Sequence, residues 1–560
     1  MRTTFTYDHY FVFNELTACL KELAAARPDF VKLTALLKTP EGREMWNVEL
    51  TDPSTGPCER KSAYYVDGST HAGEVTGSMS ALYFLDYLVT NADEPEVAAL
   101  LKQYAFYFIP RITADGAECY LTTPLRLRSV NRPYPYEQQL PGLYPADVDG
   151  DGKLYSMRVK TPYGVWKKDP DDDRVMVRRR PDETEGEFYN IYQEGLIEGY
   201  DGVHFDPAPA LWGNDFNRNY PVAWAPESTQ LGAGTYPLSN IETKTVADYI
   251  IAHKNIASVI TFHTHGGMFL YPPGFKPSSK AFAEDMERYR EIGRIATEVS
   301  GYPVVNLYDE YTPVGFDVSS GAMDDWCHYD RGIPAYTIEC WDVSARAGIP
   351  YVWPLPDKVS EEDQEANARK LLKWSDDNID GTGFRPWTPF VHPQLGEVEI
   401  GGFDYKFMFQ NCPPKFLLQE CEKHTRFMLR HVKMLPRVQI EEPKVTALGG
   451  GFYRVEAVAG NLGYLPTYLT REAIKLGTDS TVSLSISGAE VIEGKITQDL
   501  GHLSGFSGVN ALFSDLGGYQ TRAYAPLRKK ASWIIKGEGP VIISCKSATG
   551  GCSEKEITLS

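Results

Sequence analysis

The stretch Tyr64-Tyr65-Val66-Asp67-Gly68-Ser69-Thr70-His71-Ala72-Gly73-Glu74 decides how this chain is read. Its apolar start reads as a buried strand, the residues from Asp67 to Thr70 as a polar turn, and Val75 onwards as a helix. A His and a Glu three residues apart at the mouth of that helix aim an imidazole nitrogen and a carboxylate oxygen at one point, which is the beginning of a metal site. Two ligands do not complete one. A catalytic zinc needs a third ligand, an open position for water and a carboxylate base nearby. The chain offers the ligand and the base in the same strand-then-loop context: His263 ends the apolar run Ser258-Val259-Ile260-Thr261-Phe262, and Glu339 ends Ala335-Tyr336-Thr337-Ile338.

Composition narrows what such a site can serve. At 560 residues the chain is too long for one ordinary core, so a large catalytic domain with a smaller companion is expected. With 42% hydrophobic and 23% charged residues it is neither disordered nor membrane-embedded, and no run of about 18 apolar residues suggests a span. A net charge of -19 argues against a nucleic-acid partner, because phosphate binding wants basic patches. Met1 to Asp8 lacks the charged-then-apolar pattern of a leader, which points to a cytoplasmic protein, or to a secreted one already trimmed. Nine cysteines without a CxxC make neither a disulfide framework nor a thiolate zinc site, although Cys545 and Cys552 would be a pair in an oxidising compartment.

Along the chain, helical periodicity predicts helices over Phe13 to Ala26, Val75 to Val89, Asn240 to His253, Ser279 to Val299, Glu361 to Trp374 and Pro414 to Leu435. His424 and His431 on the last of these read as surface histidines without partners. Apolar strands alternate with the earlier helices, so the predicted fold is α/β, a mixed twisted sheet with helices on both faces. Ligand residues at strand ends match the rule that open α/β sheets bind ligands at the carboxyl ends of their strands. Residues from about 123 to 212 are Pro-, Tyr- and charge-rich and read as a long insertion. From about Pro436 the texture turns to short β-branched runs at Gly-rich intervals, a small C-terminal β-sandwich. The expected organisation is a catalytic domain over 1–435 and a sandwich over 436–560.

With His71, Glu74, His263 and Glu339 in hand, the chain resembles the zinc metallocarboxypeptidases of the carboxypeptidase A and B family, in order through nearly all of residues 7 to 380. The carriers are Pro110-Arg111-Ile112-Thr113-Ala114-Asp115-Gly116, Leu127-Arg128-Ser129-Val130-Asn131-Arg132, Gly213-Asn214-Asp215-Phe216-Asn217-Arg218-Asn219-Tyr220, and His263 through Tyr271-Pro272-Pro273-Gly274. The resemblance implies a peptide or peptide-like substrate and a Zn²⁺ held by His71, Glu74 and His263. It also implies Glu339 as general base, Arg128 as oxyanion stabiliser, Asn217 and Arg218 as the clamp on the substrate's terminal carboxylate, and Asp215 as the carboxylate orienting a zinc histidine. Those roles agree with physical need: the base must take a proton from water, a cation suits a developing negative charge, and a guanidinium fork matches a carboxylate.

The pattern departs in places. Counting back from Asp325-Trp326 to where many family members carry a Tyr that closes over the substrate reaches Phe316-Asp317, while Tyr308 and Tyr311 share that loop. His265 after the zinc histidine is unusual and is expected as a pocket wall. The resemblance puts Asp324, just before Asp325-Trp326, at the base of the pocket for the terminal side chain; an acidic residue there implies preference for Lys or Arg. Asp147, Asp149 and Asp151, with Gly152, have the oxygen spacing of a calcium loop, but Arg158 stands where a bidentate Glu belongs, so a Ca²⁺ site there would need a distant ligand. The leading reading is a zinc exopeptidase. Two others remain open at this stage: a zinc amidase acting on cell-wall peptides or N-acyl amino acids, and a non-catalytic peptide-binding module.

Overall fold

The computed structural model describes residues 4–312, 318–356, 358–514, 518–523 and 526–560. Its first helix, Phe13–Ala26, shows why the apolar spacing works: Leu16, Cys19, Leu20 and Leu23 fall on one stripe and are buried. Glu15 in its first turn accepts from the Val12 amide, one of the donors a helix start leaves unpaired.

The site is carried by an eight-stranded mixed sheet. Its strands run, in spatial order, Val31–Lys38, Glu44–Leu50, Tyr104–Ile109, Ser62–Gly68, Ile256–Thr264, Ala335–Cys340, Met268–Tyr271 and Val304–Asn306. The three that matter, Ser62–Gly68, Ile256–Thr264 and Ala335–Cys340, are parallel neighbours buried along their whole length. Parallel strands covered on both faces need apolar side chains on both. The adjacent residues Tyr64 and Tyr65 show that both are covered: alternation sends them to opposite faces. Tyr64 meets Phe84 and His431, and Tyr65 meets Tyr249. Helices Val75–Thr90 and Pro414–His431 therefore lie on one side and Ile241–Ala252 on the other.

This placement corrects the expectation of surface histidines. His424 and His431 are fully buried, because the helix that carries them is sheet-packed, and Nδ1 of His431 meets the Tyr64 hydroxyl at 2.9 Å. Burial disfavours the charged imidazole and takes both down to about 3.

The insertion is more ordered than its composition suggests. Ser156–Lys160, Trp166–Lys168, Met176–Arg178 and Tyr189–Gln193 join the later strands Phe384–His392 and Gly396–Phe403 in one six-stranded sheet. Met157 and Ile400 anchor one small core beneath it, and Val175, Leu372 and Phe384 another.

From Val438 onwards a five-stranded and a four-stranded antiparallel sheet enclose a core of their own, with Val455, Ala457, Trp533 and Ile535 from one and Leu484, Ile543 and Cys545 from the other, and Val509–Ser514 pairs with Gly518–Ala523 in a separate hairpin. Cys545 and Cys552 are both free. Cys545 pairs in register with Ser553 and Cys552 with Lys546, so successive alternation turns the two thiols to opposite faces of the hairpin.

His431 provides a test of this packing. Its pKa is lowered on folding, so the stability it contributes is complete above the unfolded value of about 6.5 and is lost as pH falls towards the folded value, at about 1.4 kcal/mol per pH unit. We expect His431→Phe to flatten the dependence of the urea midpoint on pH between about 6.5 and 5 relative to wild type. An unchanged slope in a folded variant would show that His431 is solvated.

Candidate active site

The three parallel strands end at one level, and their ends carry the site. Cα partners in the ladder include His263 with Glu339 and Phe262 with Gly68, so those two side chains project side by side from the same face, with the turn holding His71 and Glu74 beside them. The turn is tightly built. Ser69 takes a left-handed φ of +57°, a conformation that costs about 1 kcal/mol or more outside glycine and is found at functional turns. Gly77, in the first turn of the helix, lies so close to Phe262 that a Cβ there would be 2.8 Å from the phenylalanine's own Cβ. Any larger residue would push the helix mouth away from the His263 strand. The Arg128 segment is tied on by a bond from the Ala72 amide to the Arg128 carbonyl, and the Asp215 block by one from the Phe216 amide to the Ser129 hydroxyl.

Around Glu74 the donors converge. Nδ1 of His71 lies 2.8 Å from Oε1, and Nδ1 of His263 lies 2.9 Å from Oε2 and 3.1 Å from Nδ1 of His71. One ligand atom from each of the three residues falls within 4.8 Å of the others, and all three residues are buried. Two imidazole nitrogens and one carboxylate are the donor set of a catalytic zinc, with a fourth position left to the cavity. Burial pushes the Glu74 carboxyl up, but the two imidazoles outweigh it and hold the group well below the usual carboxylate range. His71 turns its other nitrogen, Nε2, to Asp215 at 3.1 Å, which fixes the tautomer and leaves Nδ1 free to ligate. Asp215 also accepts from Nε of Arg128 at 2.9 Å and from the Asn217 amide. Burial works to raise it; Arg128 and His71 win and keep it well below its ordinary value.

The expected residues meet in a cavity of about 310 Å³ lined by His71, Glu74, Arg128, Asn217, Arg218, His263, Asp324 and Glu339. Arg128 reaches Glu74 with Nη1 at 3.3 Å while 43% of its side chain stays open to the cavity. Oε2 of Glu339 is buried with no hydrogen-bond partner among the described residues. Burial, then Glu74, push its carboxyl well above the usual range, with Arg128 opposing. The Asn217 carboxamide oxygen accepts from the Met323 amide at 2.8 Å, leaving its NH₂ as the free donor. Nη1 of Arg218 bonds the Asn217 carbonyl. Asp324 is buried at the cavity wall, accepting from the Thr337 hydroxyl at 2.8 Å and from the Asp325 amide at 2.8 Å; burial raises its carboxyl. His265 opens onto the same cavity.

Some of the lining has no sequence signal. Tyr311, unassigned from sequence, lines the cavity, where burial and Glu339 raise its phenol; Phe316 and Asp317 lie outside the described residues. Tyr351, Tyr405 and Gln410 were not foreseen at all. Gln410 reaches the metal turn itself, since a Cβ on Gly73 would sit 2.7 Å from its carboxamide. Asp147, Asp149 and Asp151 do cluster within 4.8 Å, but the distant residue that completes the loop is a cation. Arg385 pairs with Asp149 and Asp151 at 2.7 Å each, and Asp147 is taken up by the amides of Gly150 and Gly152.

Comparison with known proteins places this geometry. Residues 16–369 match the family described as zinc carboxypeptidase, and residues 437–558 match a domain family of unknown function. The chain is similar to carboxypeptidase O of Bos taurus, 23% identical over 393 residues that cover 67% of this chain and 80% of the relative. It is similar also to mast cell carboxypeptidase A of Rattus norvegicus, 33% identical over 137 residues, 23% of this chain and 32% of that one. Among solved structures, thrombin activatable fibrinolysis inhibitor aligns with a TM-score of 0.44 at 16% identity, over 77% of this chain and 75% of that one. The family match spans well over half of the sequence, and the protein therefore belongs to the zinc carboxypeptidase family of hydrolases.

Proposed function

We propose that the protein removes single C-terminal residues from peptides, with Glu339 as the general base and a preference for terminal Lys or Arg. The observation that carries the catalytic part is the placement of Glu339: a carboxylate oxygen buried and partnerless in the cavity, one ladder position across from a metal-ligating histidine. Zinc, when bound by His71, Glu74 and His263, supplies a Lewis acid and an acidified water. Glu339 accepts the proton of the attacking water and delivers it to the leaving amine. Arg128 donates to the carbonyl oxygen as negative charge builds there, already aimed by its bond to Asp215 and paying little to reorganise. Asn217 and Arg218, lining the same cavity, hold the terminal carboxylate, Arg218 through a fork that matches two oxygens. Asp215 keeps His71 in the tautomer a metal needs.

The preference for a basic residue rests on Asp324. It and Asp325 are adjacent buried carboxylates, and burial followed by mutual repulsion raises Asp325 well above its usual range. An ammonium or guanidinium entering from the substrate would relieve that repulsion, whereas an apolar side chain would leave it uncompensated. Each Asp324 oxygen accepts one bond within the protein and has a lone pair to spare.

Peptides differing only in the last residue should therefore lose Lys or Arg at least about tenfold faster in kcat/KM than Leu or Phe. Asp324→Ile should reverse the order, and C-terminal amides of the same peptides should be spared. Faster release of Leu or Phe by wild type would make Asp324 a structural residue; equal cleavage of acids and amides would remove the exopeptidase reading.

A second expectation concerns the base. Glu339→Gln should retain its metal and lower kcat by about 10²–10⁴, read in single-turnover experiments at matched zinc content. A loss below about tenfold would assign the proton transfer to another group.

A further inference from the structure

A second cavity, of about 350 Å³, adjoins the catalytic one. It is made by the insertion sheet, by the strand pair Phe384–His392 and Gly396–Phe403, and by the turn Tyr405–Gln410. The residues from 384 onwards lie beyond the family match. Both cavities are lined by Tyr405. The guanidinium of Arg126 stacks on its ring at 4.6 Å, and Nε of Arg126 is buried without a partner among the described residues.

This second space is mainly apolar and aromatic, with Arg126, Ser156, Arg174 and Gln193 also lining it. Trp166, Met176, Trp387, Phe403 and Phe409 line it, each only half-buried, and Phe384 closes it from behind. Trp387, Phe403 and Phe409 pack against the cores behind them and, like Trp166, keep part of their surface towards the cavity, where a covering apolar group would gain the rest of the benefit of burial. What the two cavities share says what could cover them. Tyr405 lines the catalytic cavity together with Glu74 and Arg128, and the second cavity together with Arg126. A peptide held in the catalytic cavity therefore has Tyr405 as its common wall with the second space.

We propose that this cavity is a subsite for a large apolar or aromatic side chain of the peptide substrate, upstream of the residue whose carbonyl is attacked. The assignment rests on the carboxypeptidase reading. In it, the ring of Tyr405, with the Arg126 guanidinium stacked on it, is the wall the peptide crosses. The insertion and the 384–410 segment then select peptides by sequence upstream of the cut, independently of the terminal residue.

The test is a peptide panel with a constant terminal Lys, in which each of the three preceding positions is in turn Gly, Asp, Leu or Phe, together with acetyl-glycyl-lysine, too short to reach past Tyr405. For wild type, Leu or Phe at one upstream position should raise kcat/KM about tenfold over Gly. Phe409→Ser, and Trp166→Ala on the short outer strand as a second variant, should shrink that ratio to below about threefold while hydrolysis of acetyl-glycyl-lysine is unchanged. The proposal is overturned if wild type prefers no apolar residue at any upstream position, or if its preference survives intact in a variant that still cleaves the short substrate. Failure of wild type to cleave any member of the panel, acetyl-glycyl-lysine included, would instead count against the carboxypeptidase reading on which the subsite rests.

Discussion

A carboxylate buried as deeply as Glu74 cannot remain ionised by itself, since removing its charge from water costs far more than the fold has to spare. What can keep it charged is positive charge at the two imidazoles 2.8 and 2.9 Å away, carried by their protonated forms or by a metal ion they share with it, with Arg128 and the Thr264 amide as donors in either case. The rest of the site depends on that arrangement. Asp215 is needed to set the tautomer of His71; Arg128 is needed to hold Asp215; and Arg128, placed for that reason, lines the cavity. The three strand ends supply the rigid base, because a slip of register in a ladder buried on both faces would force close-packed side chains into their neighbours.

Much of this was legible in the sequence because chemistry and secondary structure coincide at these positions. A polar ligand that ends an apolar run stands out against it, so His71, Glu74, His263 and Glu339 could be picked from the residues alone. Asp215, Asn217 and Arg218 were reached only because their block resembles a known family's. The central sheet and its long helices follow from periodicity, and the helix Phe13–Ala26 is bounded as its pattern predicts. Helix Met323–Tyr329, two turns long and acidic at its start, carries no such pattern, and Asp324 sits on it.

The parts that escaped are those decided by partners far away in the chain. The strand Trp166–Lys168 is three residues long and is held in a sheet that also takes in Phe384–His392, about two hundred positions later; no local window contains both. The acidic loop at Asp147 meets Arg385, 234 residues beyond Asp151, a partner that no local window contains. Tyr405 and Gln410 enter the catalytic cavity for the same long-range reason, and they bring with them the second cavity, which joins the insertion to the site rather than leaving it as decoration. His424 and His431 differ: an amphipathic pattern puts polar residues on the wet side of a helix, and here both histidines lie on the buried side.

Metal analysis tests the central claim most directly. Protein exchanged into metal-free buffer and then given Zn²⁺ should take up one tightly held ion per chain. His71→Ala, Glu74→Ala and His263→Ala should each weaken that binding by orders of magnitude, and Asp215→Ala by about 10–100-fold through the loosened tautomer of His71. A folded His71→Ala, His263→Ala double variant that still binds one zinc with wild-type affinity and hydrolyses peptides at the wild-type rate would contradict the account.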